Sequence, residues 1–314
     1  MKIVIPGGSG QIGAILAKAF LNAGHEVVVV SRSPRPAPWR VVAWDALSIG
    51  PWASEIDGAD VVINLAGRSV NCRYSAANRR EIVDSRVNAT RVIGEAIARA
   101  KAPPRVWLQS STATIYAHRY DAPNDDVTGI IGGAEVGVPE TWRFSIEVAK
   151  AWEEAAIKAK SPGTRQVLLR SAMTMSPDRG GVFDVLMGLV RRRLGGRNGD
   201  GRQFVSWIHE EDFVRAIFWL IDGDLEGPVN LASPHPLPNA DFMRILRDAA
   251  GVRFGLPASR WMLEIGALFL RTETELILKS RRVTPTRLLQ SGFTFAFAEW
   301  QNAARELVSR YRRG

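Results

Sequence analysis

Residues 2–13 read Lys2-Ile3-Val4-Ile5-Pro6-Gly7-Gly8-Ser9-Gly10-Gln11-Ile12-Gly13, and this stretch decides the fold. Lys2 to Ile5 is a short β-branched run that predicts a strand. Gln11 to Ala23 places Ile12, Ile15, Leu16, Ala19 and Phe20 at the spacing of one helix face, and Gly24 stops it. Between the two, Gly7, Gly10 and Gly13 satisfy G-x-x-G-x-x-G, and Gly8, Gly10 and Gly13 satisfy G-x-G-x-x-G. A tight strand-to-helix turn, backbone approach to a pyrophosphate and close helix–strand packing each ask for a residue without a Cβ. The helix N-terminus adds unpaired N–H groups for phosphate. The motif follows a strand, opens a helix and leads to a second strand, which is the context that gives it meaning. Gly7, Gly8, Ser9, Gly10, Gln11, Ile12 and Gly13 are therefore candidate contacts for a dinucleotide.

Outward from this loop, Glu26–Val30, Val41–Trp44, Asp60–Leu65, Arg105–Gln109 and Arg165–Leu169 read as strands. Helical patterns run over Arg79–Ala100 and Ser145–Ala159. Continuous apolar strands alternating with helices predict an α/β fold, a Rossmann-type doubly wound parallel sheet covered on both faces. After Pro177 the pattern loosens. Phe183–Leu194 reads as helix, Gly195–Arg202 as loop, Phe204–Ile208 as strand, Asp212–Ile221 as helix, Val229–Ala232 as strand and Asn239–Ala250 as helix. Ala258–Leu289 reads as mostly helical, with a break at Pro285. The expected organisation is a nucleotide-binding domain over 1–176, with 204–232 returning to its sheet. Segments 177–203 and 233–314 form a smaller, mostly helical C-terminal substrate lobe.

The 314 residues are 46% hydrophobic, enough for a packed core. The single cysteine, Cys72, excludes an intramolecular disulfide framework and a cysteine-built zinc site. The scattered His25, His118, His209 and His235 suggest no metal cluster. No apolar run is long enough to span a bilayer, and the N-terminus has no signal-peptide core, so the chain reads as cytoplasmic. The net charge is +9 and the pI about 10.2, which raises nucleic acid as a partner. Only Arg191, Arg192, Arg193, Arg197 and Arg202 cluster, however, and no nucleic-acid module accompanies them. A solvated basic face, or one that attracts an anionic cofactor or small-molecule substrate, explains the charge without nucleic acid.

The end of the second strand bears on the cofactor. An NAD site wants a carboxylate there for the ribose 2′-hydroxyl. Here the residues are Ser31-Arg32-Ser33, and Arg32 can pair with a 2′-phosphate instead. NADP(H) is favoured over NAD(H).

These residues together resemble the extended short-chain dehydrogenase/reductase superfamily, in its NAD-dependent epimerase/dehydratase group. Gly7–Gly13 matches the glycine loop. Asn64-Leu65-Ala66-Gly67 is similar to the fourth-strand motif that lines the cofactor, and Asp45 stands where the family often contacts adenine. Ser110-Ser111-Thr112-Ala113-Thr114-Ile115-Tyr116 resembles the fifth-strand motif, with Thr112 at the active-site hydroxyl. Trp207-Ile208-His209-Glu210-Glu211-Asp212 resembles the late strand–helix signature. A narrower resemblance, to a branch of proteins named as sugar-nucleotide epimerases, takes in Ser85-Arg86-Val87-Asn88-Ala89-Thr90, Gly201-Arg202-Gln203, Gly227-Pro228-Val229-Asn230-Leu231 and Arg282-Val283-Thr284-Pro285. The resemblance implies cofactor contacts at Leu65, Ala66, Gly67, Asn88 and Ser110. Arg170 and Met173, at the carboxyl end of the sixth strand, belong with them, since open α/β sheets hold ligands there. It also implies a possible homodimer packed through helices.

Two departures qualify the resemblance. The superfamily's proton chemistry uses Tyr-x-x-x-Lys on one helix, the lysine depressing the tyrosine pKa. Here Ile146 stands four residues before Lys150. If Glu153 sets the alignment, Ser145 and Ala149 take the two positions. Either way the dyad is absent. Thr112 can polarise a carbonyl, or its hydroxyl can be satisfied at the strand end. Tyr116 is a replacement acid or a packing residue, and Lys150 reaches the ribose or faces water. His209 reads as a structural hydrogen-bonding residue, Asp212 as a first-turn acid and Asp125-Asp126 as loop residues facing water. The second departure is Val205, where sugar-nucleotide epimerases commonly carry a diphosphate-clamping arginine. Arg202, three residues earlier, is a candidate displaced anion site. Two functions stay open: an NADP(H)-dependent oxidoreductase or epimerase-like enzyme, and a binding protein that senses NADPH.

Overall fold

The structure, a computed structural model, describes residues 1–135, 138–259, 262 and 275–313. Its main sheet is built from β1 (Lys2–Pro6), β2 (Glu26–Ser31), β3 (Arg40–Ala43), β4 (Val61–Asn64), β5 (Val106–Thr112) and β6 (Arg165–Ser171). After the short β7 (Met173–Met175), β8 (Phe204–Val205) and β9 (Trp207–His209), the chain returns to it as β10 (Gly227–Leu231). All pairings are parallel and the order is β10-β6-β5-β4-β1-β2-β3. The order reverses between β1 and β4, which opens a crevice at their carboxyl ends.

The register explains why the strands are apolar without alternation. Ile3 pairs with Val27 and Val61, and Val4 with Val28 and Val62. Ile3 and Ile5 point to one face, where Leu16 and Phe20 of α1 (Gln11–Asn22) pack. Val4 and Val28 point to the other, against Val92, Ile93 and Ile97 of α2 (Ala76–Arg99) and the rings of Trp52 and Trp107. Each strand is buried on both sides, so both parities are apolar. Helix α3 (Glu140–Lys158) lies beside α2.

A second core lies under the lobe. Phe183 and Met187 of α4 (Val182–Arg191) and Trp207 of β9 belong to it. After α5 (Glu210–Asp222) and β11 (Leu237–Pro238), α6 (Asn239–Ala250) adds Phe242 and Leu246. Beyond the short α7 (Glu275–Leu278) and α8 (Thr286–Gln290), α9 (Trp300–Arg313) closes it with Trp300, Leu307 and Tyr311. The Trp300 and Phe242 rings stack at 4.1 Å, and Trp300 Nε1 donates to the Phe242 carbonyl at 2.9 Å.

The structure differs from the sequence expectation at several points. The strand expected over Phe204–Ile208 is two strands: β8 pairs antiparallel with β11, and β9 pairs parallel with β7, both outside the main sheet. The break is Ser206, whose Oγ donates to the Arg281 carbonyl at 2.7 Å and accepts from Val283 N at 2.9 Å. Within the stretch expected to be mostly helical, residues 279–285 are not helix, and 260–261 and 263–274 lie outside the described residues. Asp126 does not simply face water. It accepts from Asn230 N at 2.8 Å and Arg287 N at 2.9 Å, pinning β10 to α8. Asp212, completely buried, does more than begin a helix. It accepts from Ala296 N at 2.7 Å and Phe297 N at 2.8 Å, tying the C-terminal segment to α5. His209 is structural as expected: Nδ1 accepts from Glu211 N at 3.1 Å, so Nε2 carries the hydrogen that faces Glu306 at 2.9 Å. Among the described residues no helix is long and apolar enough to cross a membrane, and no His, Cys, Asp and Glu group could hold a metal ion.

Candidate functional site

The glycine loop sits in the crevice between β1 and β4. Gly7 has φ +76°, and a Cβ there would lie 2.5 Å from the Ala66 backbone. A Cβ on Gly13 would lie 2.2 Å from the Gly8 carbonyl oxygen. These two glycines are explained by packing within the protein. Gly10 is not, since a Cβ there would meet nothing within 4 Å. It opens onto space, and it is the N-cap of α1, with no side-chain cap and no acidic residue in the first turn. The amides of that turn are available to an anion. The Gln11 Nε2 atom is buried beside Gly181 with no partner among the described residues. Open space, uncapped amides and an orphaned donor fit the pyrophosphate of a dinucleotide.

Ser31 Oγ donates to Ser9 Oγ at 3.1 Å and accepts from Ser33 N at 3.2 Å, so the end of β2 is tied to the loop. Arg32 is exposed and pairs with none of the described residues. The exposed Asp45 has its carboxylate held at about pKa 2, chiefly by the Ser48 hydroxyl and then by the Ser48 and Leu47 amides. Across the crevice, Asn64 shapes the Leu65-Ala66-Gly67 turn. Its Oδ1 accepts from Ala66 N at 2.9 Å and its Nδ2 donates to Gln109 Oε1 at 2.8 Å. Ile12, Asn88, Ser110 and Met173 are half-buried.

A cavity of about 110 Å³ lies at the carboxyl end of β5, between α2 and α3. Thr112, Tyr74, Arg86, Ser145, Trp152 and Glu275 are on its walls. Thr112 Oγ1 accepts from Thr114 N at 3.2 Å, and its own hydrogen has no acceptor among the described residues. The strand-end bond and a ligand contact are therefore compatible. Ser145 donates through a short bond to Glu275 Oε2, and Tyr74 Oη lies 3.4 Å from Ser145 Oγ. A hydroxyl has one hydrogen, so with that of Ser145 committed to Glu275, Ser145 can only accept from the phenol. Glu275 is completely buried and its charge is met by Arg281 at 3.1 Å. The result is a contiguous row of groups, Tyr74, Ser145 and Glu275, leading from the cavity wall into the protein. Arg86 connects the cavity to the cofactor crevice, because its side chain lies 3.2 Å from where a Gly67 Cβ would stand.

The other sequence candidates lie elsewhere. Tyr116 is buried, donates to Asn230 Oδ1 at 2.9 Å and accepts from Arg170 NH1 at 3.0 Å. Burial pushes its phenol pKa up, against the pull of Arg170. Arg170 makes a bidentate pair with Glu153, both bonds 2.8 Å, and Ser111 Oγ donates to the same carboxylate at 2.6 Å. Burial alone would lower the Arg170 pKa, but the bonds and charge of Glu153 hold it above the ordinary value. Lys150 is exposed on α3. Arg202 is exposed over the Tyr120 ring at 5.8 Å and is not on the cavity wall. The structure thus brings Thr112 to the cavity and gives Tyr116 and Arg170 to a buried network. Tyr74, Arg86 and Glu275 were not legible as site residues. They come from a turn, a helix and a distant segment, and no spacing in the sequence relates them.

Comparison with known proteins supports the fold and the family. Residues 3–232 match the NAD dependent epimerase/dehydratase family, and residues 258–307 match a domain of unknown function, DUF1731. The chain is 29% identical over 313 residues to the human epimerase family protein SDR39U1, covering 98% of this chain and 100% of the relative. It is 32% identical over 300 residues to the Mycobacterium bovis epimerase family protein Mb2239, covering 93% of each. Among solved structures, human SDR39U1 (isoform 2) with NADPH superposes with a TM-score of 0.86 at 28% identity, covering 98% of this chain and 99% of that one. The nucleoside-diphosphate sugar epimerase of Corynebacterium glutamicum does so at 0.76 and 28%, covering 98% of this chain and 58% of that one. The chain belongs to the NAD dependent epimerase/dehydratase family.

Proposed function

We propose that the protein is an NADP(H)-dependent, epimerase- or dehydratase-like oxidoreductase that works on a small carbonyl, hydroxyl or sugar-type substrate without a Tyr-x-x-x-Lys dyad. The observation that carries this reading is the cavity holding Thr112 and the Tyr74–Ser145–Glu275 chain, joined through Arg86 and Gly67 to the dinucleotide crevice. The preference for NADP(H) rests on Arg32, which is exposed and unpaired beside the loop, and on the lack of a carboxylate at Ser31-Arg32-Ser33. The presence of NADPH in the human relative's structure supports it.

When bound, the cofactor exchanges two electrons with a carbon of the substrate. The chain's own residues handle orientation and the proton. Thr112 offers its free hydrogen to a carbonyl oxygen. In the oxidising direction, a substrate hydroxyl gives its proton to Tyr74 Oη as the phenol hydrogen moves to Ser145 Oγ and the Ser145 hydrogen to Glu275. The reducing direction runs the same chain backward.

Fluorescence titration of NADPH and NADH, repeated with Arg32→Ala, tests the cofactor. Loss of one charge-assisted contact predicts about tenfold weaker NADPH binding and unchanged NADH binding. Equal affinities that the substitution leaves alone overturn the NADP(H) assignment. Turnover is followed by NADPH absorbance together with product analysis on panels of carbonyl compounds and sugar nucleotides. The absence of tyrosine from α3 favours a second reading, an NADPH-binding sensor. Tight cofactor binding with no turnover across the panels would establish it.

A further inference from the structure

Arg86 is a half-buried cation with no anion beside it among the described residues. It lines the cavity, its guanidinium carbon lies 4.9 Å over the Trp152 ring, and its NH1 donates to the Ile82 carbonyl at 3.0 Å. No carboxylate among the described residues pairs with it. A guanidinium has five N–H donors in a planar fork, and among the described residues only one of these bonds is made. Burial lowers its pKa to about 10, with the nearby Tyr74 opposing the shift. Holding such a group in place is costly unless something completes it.

We infer that Arg86 is the anchor for the carboxylate of the substrate, and that the substrate is a small hydroxy- or oxo-acid. The inference rests on the function proposed above and narrows it. A planar fork held over an indole can meet a carboxylate through two parallel bonds. The size of the cavity suits a small ligand. A cavity of about 150 Å³ holds a benzene ring, and this one is about 110 Å³. A carboxylate with a short hydroxyl- or carbonyl-bearing carbon chain fits that space.

The electrostatics agree. Among the described residues the one carboxylate on the wall, Glu275, is answered by Arg281 at 3.1 Å and by the Ser145 hydroxyl. Lys279, donating to the Thr114 carbonyl at 2.7 Å, adds a cation behind the wall. Among the described residues, Arg86 is therefore the uncompensated charge that an entering anion meets. With its carboxylate on Arg86, the substrate's hydroxyl or carbonyl oxygen shares the cavity with Thr112 and Tyr74.

The test uses lactate and lactamide, which differ in charge but hardly in shape, titrated calorimetrically into the full chain with and without NADPH. No turnover is needed for the readout. Lactate should bind at least about tenfold more tightly than lactamide, the value of a charge-assisted fork. Arg86→Met should abolish that discrimination, Arg86→Lys should restore part of it, and both variants should bind NADPH within about twofold of the parent. The wild-type comparison stands even where a variant fails to fold. Equal binding of the two ligands, or binding of neither while NADPH binds, overturns the inference and leaves the cofactor assignment standing. A large loss of NADPH affinity in Arg86→Met also overturns it, because Arg86 would then serve the cofactor. If the wild-type chain does not bind NADPH, the function proposed above fails instead.

Discussion

Removing Glu153 should destabilise the fold without touching the cofactor crevice. Its carboxylate takes two hydrogen bonds from Arg170 and one from Ser111. In Glu153→Leu, Arg170 keeps its bond to Tyr116 but loses its counter-charge. Breaking a buried ion pair by removing one partner costs about 3–5 kcal/mol. The two side chains are 11% and 8% exposed, so a little water reaches them and Tyr116 still accepts. The lower end, about 3 kcal/mol, is therefore expected. At roughly 2 °C per kcal/mol for a chain of this size, the melting temperature should fall by about 6 °C. Arg170→Leu should cost a similar amount. The double Leu variant should lie within about 1 kcal/mol of the parent, because packed apolar groups replace a desolvated pair. Urea denaturation of the four proteins gives the double-mutant cycle. A loss below about 1 kcal/mol in Glu153→Leu, or a double variant whose cost equals the sum of the singles, refutes the account. So would a Tyr116→Phe variant with markedly weaker NADPH binding, since that phenol is held in the same network.

Further tests address the loop and the lobe. Gly10→Ala should leave melting unchanged, because its Cβ meets nothing within 4 Å, yet weaken NADPH binding by about tenfold or more, since the methyl occupies the ligand's space. Gly13→Ala should lose soluble, folded protein, because its Cβ would lie 2.2 Å from the Gly8 carbonyl oxygen; normal expression and melting would contradict this. Lys279 has its pKa lowered from 10.5 to about 8, first by burial and then by Arg281. Its stabilising share is thus full above the unfolded value and lost as pH falls through the folded one, so stability should rise between about pH 8 and 10.5. Lys279→Met should flatten urea midpoints over that window, and an unchanged pH dependence would count against the buried charge. Asp212→Asn leaves one acceptor for the two amides at Ala296 and Phe297. It should cost about 1–3 kcal/mol and speed proteolysis of the C-terminal segment.

Most of the sheet was legible because local chemistry and tertiary context agree there. Strands buried on both faces must be apolar at every position, and the crevice between β1 and β4 needs its glycines. The strand over Phe204–Ile208 was misread for a physical reason. Its apolar run is continuous, but Ser206 bonds to residues 281 and 283, more than seventy positions away, and that contact divides it. Asp126 and Asp212 look like ordinary loop and first-turn acids, and only the approach of Arg287, Asn230, Ala296 and Phe297 shows them to be ties between segments.

By itself, the sequence determined the nucleotide-binding half: the glycine loop, the Ser31-Arg32 end of β2 and the turn after β4 all lie close to the strands that create them. It also showed that α3 carries no tyrosine. Only the tertiary structure decided what stands in the cavity at the end of β5. Tyr74, Arg86, Thr112, Ser145 and Glu275 meet because α2, β5, α3 and a segment more than a hundred residues later converge at one end of the sheet. Hydroxyls, a carboxylate and a guanidinium leave no periodic signature in a chain, and their chemistry depends on which of them share a wall.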